Sequence, residues 1–315
     1  IGHIAHVNLK PAHAPFKHVI GAVLLDKNPG LRTVVNKTGD VGGEFRVFQM
    51  EVLAGDPDTV ATVAQHGCRF RLDFQRVYWN SRLEAEHARL VSEFRAGDVV
   101  VDAMAGVGPF AVPAARKGCT VYANDLNPDS FKWLQANVVA NKARGRCAPS
   151  CADARAFIRA VGGGVPDAHD AVYGGGEDAA APPALPGAAP ALPPPPKSGS
   201  IYQHAILNLP ANAVDFLDAF VGSLRAEAWG EAPMPRVHVY GFAKDGEQAA
   251  LAAAATASLG GAPLVDPVTR LVRDVAPAKR MWCLSFTLPR EVAVAKAAEA
   301  GDDGGVFKRQ KVEGS

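Results

Sequence analysis

Residues 99–128 read VVVDAMAGVGPFAVPAARKGCTVYANDLNP, and the pattern of this stretch decides the fold. Val99, Val100 and Val101 form a β-branched run, as a strand buried on both faces requires. Asp102 ends it. Residues 103–108 are small and glycine-bearing, so the chain can turn sharply and let a ligand come close to the backbone. Phe110 to Lys117 has helical apolar spacing, and Gly118 supplies a stop. Thr120 to Asn124 is a second strand, again followed by an acid, Asp125. The unit is β-α-β, with a carboxylate at the carboxyl end of each strand. In open α/β sheets that edge is where ligands bind.

Gly106, Gly108 and Ala111 fit the dinucleotide pattern G-x-G-x-x-A. In a dinucleotide site the first glycine follows the strand almost directly, because the pyrophosphate sits on the helix N-terminus. Here Asp102 and three small or flexible residues intervene, and an acid at that point repels phosphate and suits a cation. A D-x-x-x-G-x-G turn with a second acid after the next strand resembles the class I S-adenosylmethionine (AdoMet) methyltransferases. The resemblance implies that Asp125 accepts hydrogen bonds from the ribose hydroxyls. Taken alone, the turn also fits a nicotinamide-dependent oxidoreductase, or a Rossmann-like domain without a cofactor.

The chain has 315 residues, 48% hydrophobic and 21% charged, which is ordinary globular material for about two domains. A net charge of +1 provides no overall basic field, so any nucleic-acid site must be a local patch. The five cysteines are Cys68, Cys119, Cys147, Cys151 and Cys283. They form no C-x-x-C pair and read as reduced packing residues, so no metal is expected. No apolar run is long enough to span a membrane. The chain opens on Ile1 rather than Met, which reads as a fragment with any targeting segment out of view.

Along the chain, residues 1–76 read as a small α+β module. His18 to Leu25 is predicted as a strand, Thr33 to Asn36 as another, and Phe45 to Leu53 as a half-buried strand carrying Arg46. On spacing alone Arg46 is a solvated face residue. Asp56 to His66 is predicted as a short helix and Arg69 to Phe74 as a strand. Residues 77–291 read as the α/β domain. In it Ser81 and Glu84 form a capping box for a helix with the stripe Leu83, His87, Leu90 and Phe94. Arg82 and Glu86 lie at i,i+4 on that helix and can face one another, by themselves no more than a surface ion pair. Pro128 to Asn141 is an amphipathic helix. Ala148 to Cys151 is a strand with Asp153 at its end, and Ala154 to Val161 is a helix. Residues 162–200 are Gly, Ala and Pro with almost no large apolar side chains, so a disordered insertion is expected there. The strand pattern resumes at His204 to Asn208. Val214 to Ala228 is predicted as a helix, Arg236 to Phe242 as a strand and Gln248 to Ser258 as a helix. Thr269 to Val275 and Trp282 to Leu288 read as a final antiparallel pair. Residues 292–315 are expected to be a disordered tail.

Eight segments in order resemble one family, the eukaryotic and archaeal tRNA (guanine-37) N1-methyltransferases. They are HVNL at His6, LLDKNP at Leu24, VVNK at Val34, FRVFQMEVLAG at Phe45, VYWNSRLEAEH at Val77, DAMAGVGPF at Asp102, ANDLNP at Ala123 and NLPA at Asn208. NLPA departs from the [DNS]-P-P-[YFW] motif of amine and base methyltransferases by lacking the aromatic, which argues against an exocyclic-amine substrate. The resemblance implies a mostly parallel, seven-stranded Rossmann-like sheet with an antiparallel last strand, AdoMet as methyl donor, and the tRNA anticodon stem-loop as partner. It implies methylation of N1 of guanosine 37, a monomer, and residence in cytoplasm, nucleus or mitochondrial matrix. It also implies that the family's amino-terminal domain lies outside this chain.

By the same resemblance Glu86 is the general base and Arg46 the donor to guanine O6. Tyr78 and Asn208 border the target base. His87, Asp125, Leu126, Asp153, Ala154 and Asn208 line AdoMet, and Asp102, Gly106 and Gly108 complete the cofactor set, with the turn beside the methionine part. Arg82 suits either a backbone phosphate or the orienting of Glu86. The chemistry fits these roles. Guanine N1 is protonated at neutral pH, a carboxylate can take that proton, and a guanidinium can stabilise charge developing on O6. Two alternatives share the fold: an aminocarboxypropyl transferase of wybutosine synthesis, which also uses AdoMet, and a non-catalytic RNA-binding protein.

Overall fold

The computed structural model describes residues 1–39, 45, 47, 49–165, 167–173, 194, 196–244, 246–276 and 279–294. Arg46 and Phe48 lie outside the described residues. The first part contains β1 (Ile4–Val7), α1 (Lys17–Lys27), β2 (Thr33–Lys37) and β3 (Met50–Gly55). The strands form one sheet in the order β1-β2-β3, parallel between β1 and β2 and antiparallel between β2 and β3. α1 is a correction to the strand expected over His18 to Leu25. Its less exposed positions are Lys17, Ile20, Gly21, Leu24 and Leu25, a helical period, and Gly21 packs against Leu53 of β3. A short apolar run does not by itself distinguish strand from helix.

A hairpin follows, β4 (Val60–Gln65) and β5 (Cys68–Asp73), paired antiparallel from Val60↔Asp73 to Gln65↔Cys68. It replaces the helix expected over Asp56 to His66. The turn residues His66 and Gly67 both have positive φ, at 48° and 69°, the backbone of a two-residue hairpin turn. The hairpin shares a core with the α/β domain: Ala61, Cys68, Phe70 and Leu72 are buried with Val77, Leu83, Leu90, Phe94, Val100 and Phe110. Two asparagines bind its outer edge to the next domain. Asn137 accepts from the Arg71 amide at 2.7 Å and donates to its carbonyl at 3.1 Å. Asn141 does the same to Arg69 at 2.8 and 2.7 Å.

The α/β domain runs α2 (Glu84–Glu93), β6 (Val99–Asp102), α3 (Ala111–Lys117), β7 (Thr120–Asn124), α4 (Pro128–Ala140), β8 (Cys147–Ser150), α5 (Ala154–Gly162), α6 (Ala168–Tyr173) and β9 (His204–Leu207). It continues with α7 (Ala226–Trp229), β10 (Arg236–Ala243), α8 (Gln248–Ser258), β11 (Val265–Ala276), β12 (Lys279–Thr287) and α9 (Arg290–Ala293). Seven strands form one sheet in the order β11-β12-β10-β9-β6-β7-β8. β8, β7, β6, β9 and β10 are parallel, and β12 runs antiparallel between β10 and β11. This is the expected mostly parallel sheet with an antiparallel last strand. Val100 and Val101 enter different cores, so β6 is buried on both faces. From β6 the chain winds outward through β7 and β8, then returns to β9 on the other side. The carboxyl ends of β6 and β9 therefore flank the topological switch point.

Other expectations are corrected here. Ser81 does not cap α2. Asn80 Oδ1 accepts from the Arg82 amide at 3.1 Å and caps a 3-10 turn, Ser81–Leu83, so α2 begins at Glu84. The helix expected over Val214 to Ala228 is a 3-10 segment, Ala213–Phe220, followed by a turn and α7. Gly222, at φ 61°, breaks the run. Both ends of the 162–200 segment are folded. α6 lies within it, the Gly164 amide donates to Ser223 O at 2.7 Å, and His169 Nε2 lies 2.8 Å from Pro196 O. Residues 174–193 lie outside the described residues. Val292 and Ala293 are also folded, their carbonyls accepting from Gly222 and Leu224 at 2.8 Å, whereas 295–315 lie outside the described residues.

Candidate active site

The parallel strands bring their carboxyl ends to one edge, where Asp102, Asp125, Asp153 and Asn208 end or follow β6, β7, β8 and β9. Asp102 ends β6 and is fully buried, with neither carboxylate oxygen in a well-formed hydrogen bond. Burial, then the neighbouring Asp125 carboxylate, pushes its pKa up to about 8, offset in part by the Met104 amide. Asp125 follows β7. Its Oδ2 accepts from the Gly106 amide at 2.8 Å and its Oδ1 from the Asn127 amide at 2.9 Å. Burial raises its pKa, and those two amides work against the rise. Asp125 thus fixes the turn before any ligand arrives.

Gly106 and Gly108 have φ of 56° and 97°. A Cβ on Gly108 would meet Leu134 Cδ1 at 2.8 Å and Val112 Cγ2 at 2.9 Å, so close packing of turn on helix excludes a side chain there. A Cβ on Gly106 would meet nothing within 4 Å: the space in front of that turn is open. Asn124, fully buried, staples three loops of this edge. Its Nδ2 donates to Ala103 O at 3.2 Å and Ala152 O at 2.9 Å, and its Oδ1 accepts from the Ala152 amide at 2.9 Å. Sequence reasoning passed over this residue, because a strand-end asparagine carries no local signal of such bonds.

Asp153, after β8, caps α5 by accepting from the Arg155 and Ala156 amides at 2.9 and 3.1 Å, beside the buried Ala154. Leu126 is an exposed apolar residue between Asp125 and Asn127. Asn208 follows β9, and its Oδ1 is buried without a hydrogen-bond partner. Tyr78 is exposed, and its hydroxyl accepts from Asn80 Nδ2 at 3.3 Å.

α2 closes one side of the edge. His87 lies edge-on to Phe110, two residues after Gly108, with ring centroids 4.7 Å apart. Burial lowers the His87 pKa to about 3, so its ring is neutral, and Nδ1 has no partner. Glu86 is only 7% exposed. Its expected partner Arg82 does not hold it. Arg82 precedes α2 in the 3-10 turn, which breaks the i,i+4 register. Instead Arg89 Nε donates to Glu86 Oε2 at 2.7 Å and Nη2 to Oε1 at 2.6 Å, while the Tyr240 hydroxyl donates to Oε1 at 2.7 Å. Arg89 was detectable in the sequence as the i+3 neighbour of Glu86. Tyr240, on β10, was not.

The donor set fits AdoMet. An unpaired buried carboxylate suits a cationic ligand, the open Gly106 turn admits its backbone-close part, and unpartnered polar atoms on His87 and Asn208 await bonds. Among the described residues no cluster of three His, Cys, Asp or Glu could hold a metal ion, and no helix is long and apolar enough to cross a membrane.

Comparison with known proteins bears on the same residues. Residues 61–165 match the family model described as TRM5/TYW2 methyltransferase domain, and residues 1–59 match TYW2 N-terminal domain. A zebrafish (Danio rerio) tRNA (guanine(37)-N(1))-methyltransferase is 45% identical over 294 residues, 93% of this chain and 56% of the relative. The enzyme of the same name from Schizosaccharomyces pombe is 41% identical over 314 residues, 94% of this chain and 69% of the relative. The chain thus spans little more than half the length of the zebrafish relative. The crystal structure of wild-type Trm5b from Pyrococcus abyssi superposes with a TM-score of 0.65 at 23% identity, covering 91% of this chain and 73% of that one. TYW2 of Pyrococcus horikoshii, in complex with MeSAdo, gives 0.60 at 19%, covering 91% and 88%. At these identities the structures establish the shared fold.

Proposed function

This chain belongs to the tRNA (guanine(37)-N(1))-methyltransferase family, and from that membership and the geometry above we propose that it methylates N1 of guanosine 37 in tRNA. The observation that carries the proposal is Glu86, a carboxylate held by three donors on the helix that borders the Gly106–Gly108 turn. The relatives' names supply the reaction, and the residues here are of the types it needs.

AdoMet, when bound, supplies an electrophilic methyl group on a sulfonium sulfur. Asp125 would receive the ribose hydroxyls, Asp102 would face the cationic part, and the Gly106 turn would lie along the methionine portion, with His87, Leu126, Asp153, Ala154 and Asn208 lining the remainder. Glu86 takes the proton from guanine N1, breaking the N1–H bond and leaving the lone pair that accepts the methyl. Arg46 would stabilise charge on O6. Tyr78 and Asn208 would border the base. Placement of donor and acceptor in line supplies the rest.

The test is single-turnover transfer from labelled AdoMet to a tRNA transcript carrying guanosine 37, with nucleosides identified by mass. Methyl addition is expected, and Glu86→Gln should slow it by about a hundredfold or more while AdoMet affinity holds. A second reading, aminocarboxypropyl transfer, is favoured by the match of residues 1–59 to the TYW2 N-terminal domain. An aminocarboxypropyl mass gain on the nucleoside would replace the first reading with the second.

A further inference from the structure

The bonds to Glu86 are unequal between its two oxygens. Oε1 accepts from Arg89 Nη2 and from the Tyr240 hydroxyl, whereas among the described residues Oε2 accepts only from Arg89 Nε. A carboxylate offers about two lone-pair sites on each oxygen. Oε1 is therefore filled, and one site is left, on Oε2. We infer that Arg89 and Tyr240 are positioning residues that direct this remaining Oε2 lone pair at the substrate N–H. The inference rests on the proposed role of Glu86 as the base.

The supports come from different elements and are themselves fixed. Arg89 lies one turn further along α2, and its Nη1 donates to Glu93, so its fork is held from both sides. Cys283 of β12 stands 3.9 Å from Arg89 Nη2, and Ser285 lies 3.7 Å from the Cys283 sulfur. Tyr240 rises from β10, fully buried, with its ring 5.9 Å from Phe110 beside the cofactor turn. Burial and the acidic groups around it keep the phenol protonated, so it can only donate to the carboxylate. Among the described residues the groups facing Glu86 are thus Arg89 from its own helix, Tyr240 from β10 and Cys283 from β12, with Glu93 behind Arg89. A bidentate guanidinium fixes the carboxylate plane, and the phenol fixes which oxygen is occupied.

The experiment measures the maximal single-turnover rate of methyl transfer and the tRNA concentration that half-saturates it, together with AdoMet affinity and thermal melting, for Tyr240→Phe and Arg89→Lys. Tyr240→Phe removes one oxygen atom and should slow transfer about tenfold, because Oε1 becomes an equally available acceptor and the carboxylate can turn. Arg89→Lys keeps the charge but loses the fork, and should slow transfer by about a hundredfold. AdoMet affinity should stay within about twofold in both, since neither side chain is placed against the cofactor. If Tyr240→Phe shows the wild-type maximal rate while Glu86→Gln is inactive, the positioning inference is overturned and the base stands. If Glu86→Gln itself transfers normally, the reading of Glu86 as base fails first. Because Tyr240→Phe leaves the ring packing intact, it decides the matter even if Arg89→Lys folds poorly.

Discussion

Asp102 allows the sharpest quantitative test of the cofactor site. Its carboxyl is fully buried and its pKa is pushed up to about 8 by burial and by Asp125. At pH 7 about 0.9 of the ligand-free protein therefore carries a proton on Asp102. If the bound cation requires the charged carboxylate, that proton must leave on binding. Calorimetric titration with AdoMet at pH 7, in buffers of different ionisation enthalpy, should detect release of about 0.9 proton, and apparent affinity should rise about tenfold from pH 7 to pH 9. The α-amino group of AdoMet titrates in the same range, so Asp102→Asn is the control. The proton release present in wild type and absent from the variant belongs to Asp102. Stability carries the same signature with a fixed sign. The folded pKa lies above the unfolded one, so the ligand-free protein binds the extra proton between about pH 4 and about pH 8 and loses stability as pH rises through that window. Asp102→Asn should flatten this slope. Equal proton release by wild type and variant would refute the assignment.

Four further variants test the packing. Gly108→Ala should destabilise by about 1–3 kcal/mol, because its Cβ meets Leu134 and Val112 at under 3 Å. Gly106→Ala should cost only about 1 kcal/mol of stability for its positive φ yet weaken AdoMet binding; a loss of binding by Gly108→Ala alone would reverse the roles given to the two glycines. Asn137→Ala strips the Arg71 amide and carbonyl and the Val107 carbonyl of their partner, and a denaturant titration should record a loss of about 2–4 kcal/mol. Replacing residues 164–197 with a short Gly/Ser linker removes α6, whose Tyr173 packs on the core beside α5, so the melting temperature should fall. An unchanged melt would mean that α6 contributes nothing to the fold.

Local pattern was enough for the part of the chain where it is strongest. The Val99–Asn124 β-α-β unit, its two strand-end acids and the glycine turn form as expected, because β-branched runs, a helix stop and small turn residues act over a few positions. The sequence also places Glu86 and His87 on the helix leading into β6. Tertiary structure decided what local pattern leaves open. His18 to Leu25 is apolar enough for either element and became a helix once its inward face met β3; Val60 to Gln65 became a strand because β5 stands beside it. Glu86 has candidate basic neighbours on both sides in sequence. Only the start of α2 at Glu84 puts Arg89, and not Arg82, in helical register with it. Its second anchor, Tyr240, lies 154 residues away, brought there by the neighbouring strands of the sheet. Strand order is a property of the whole chain, so no window of sequence around Glu86 could contain it.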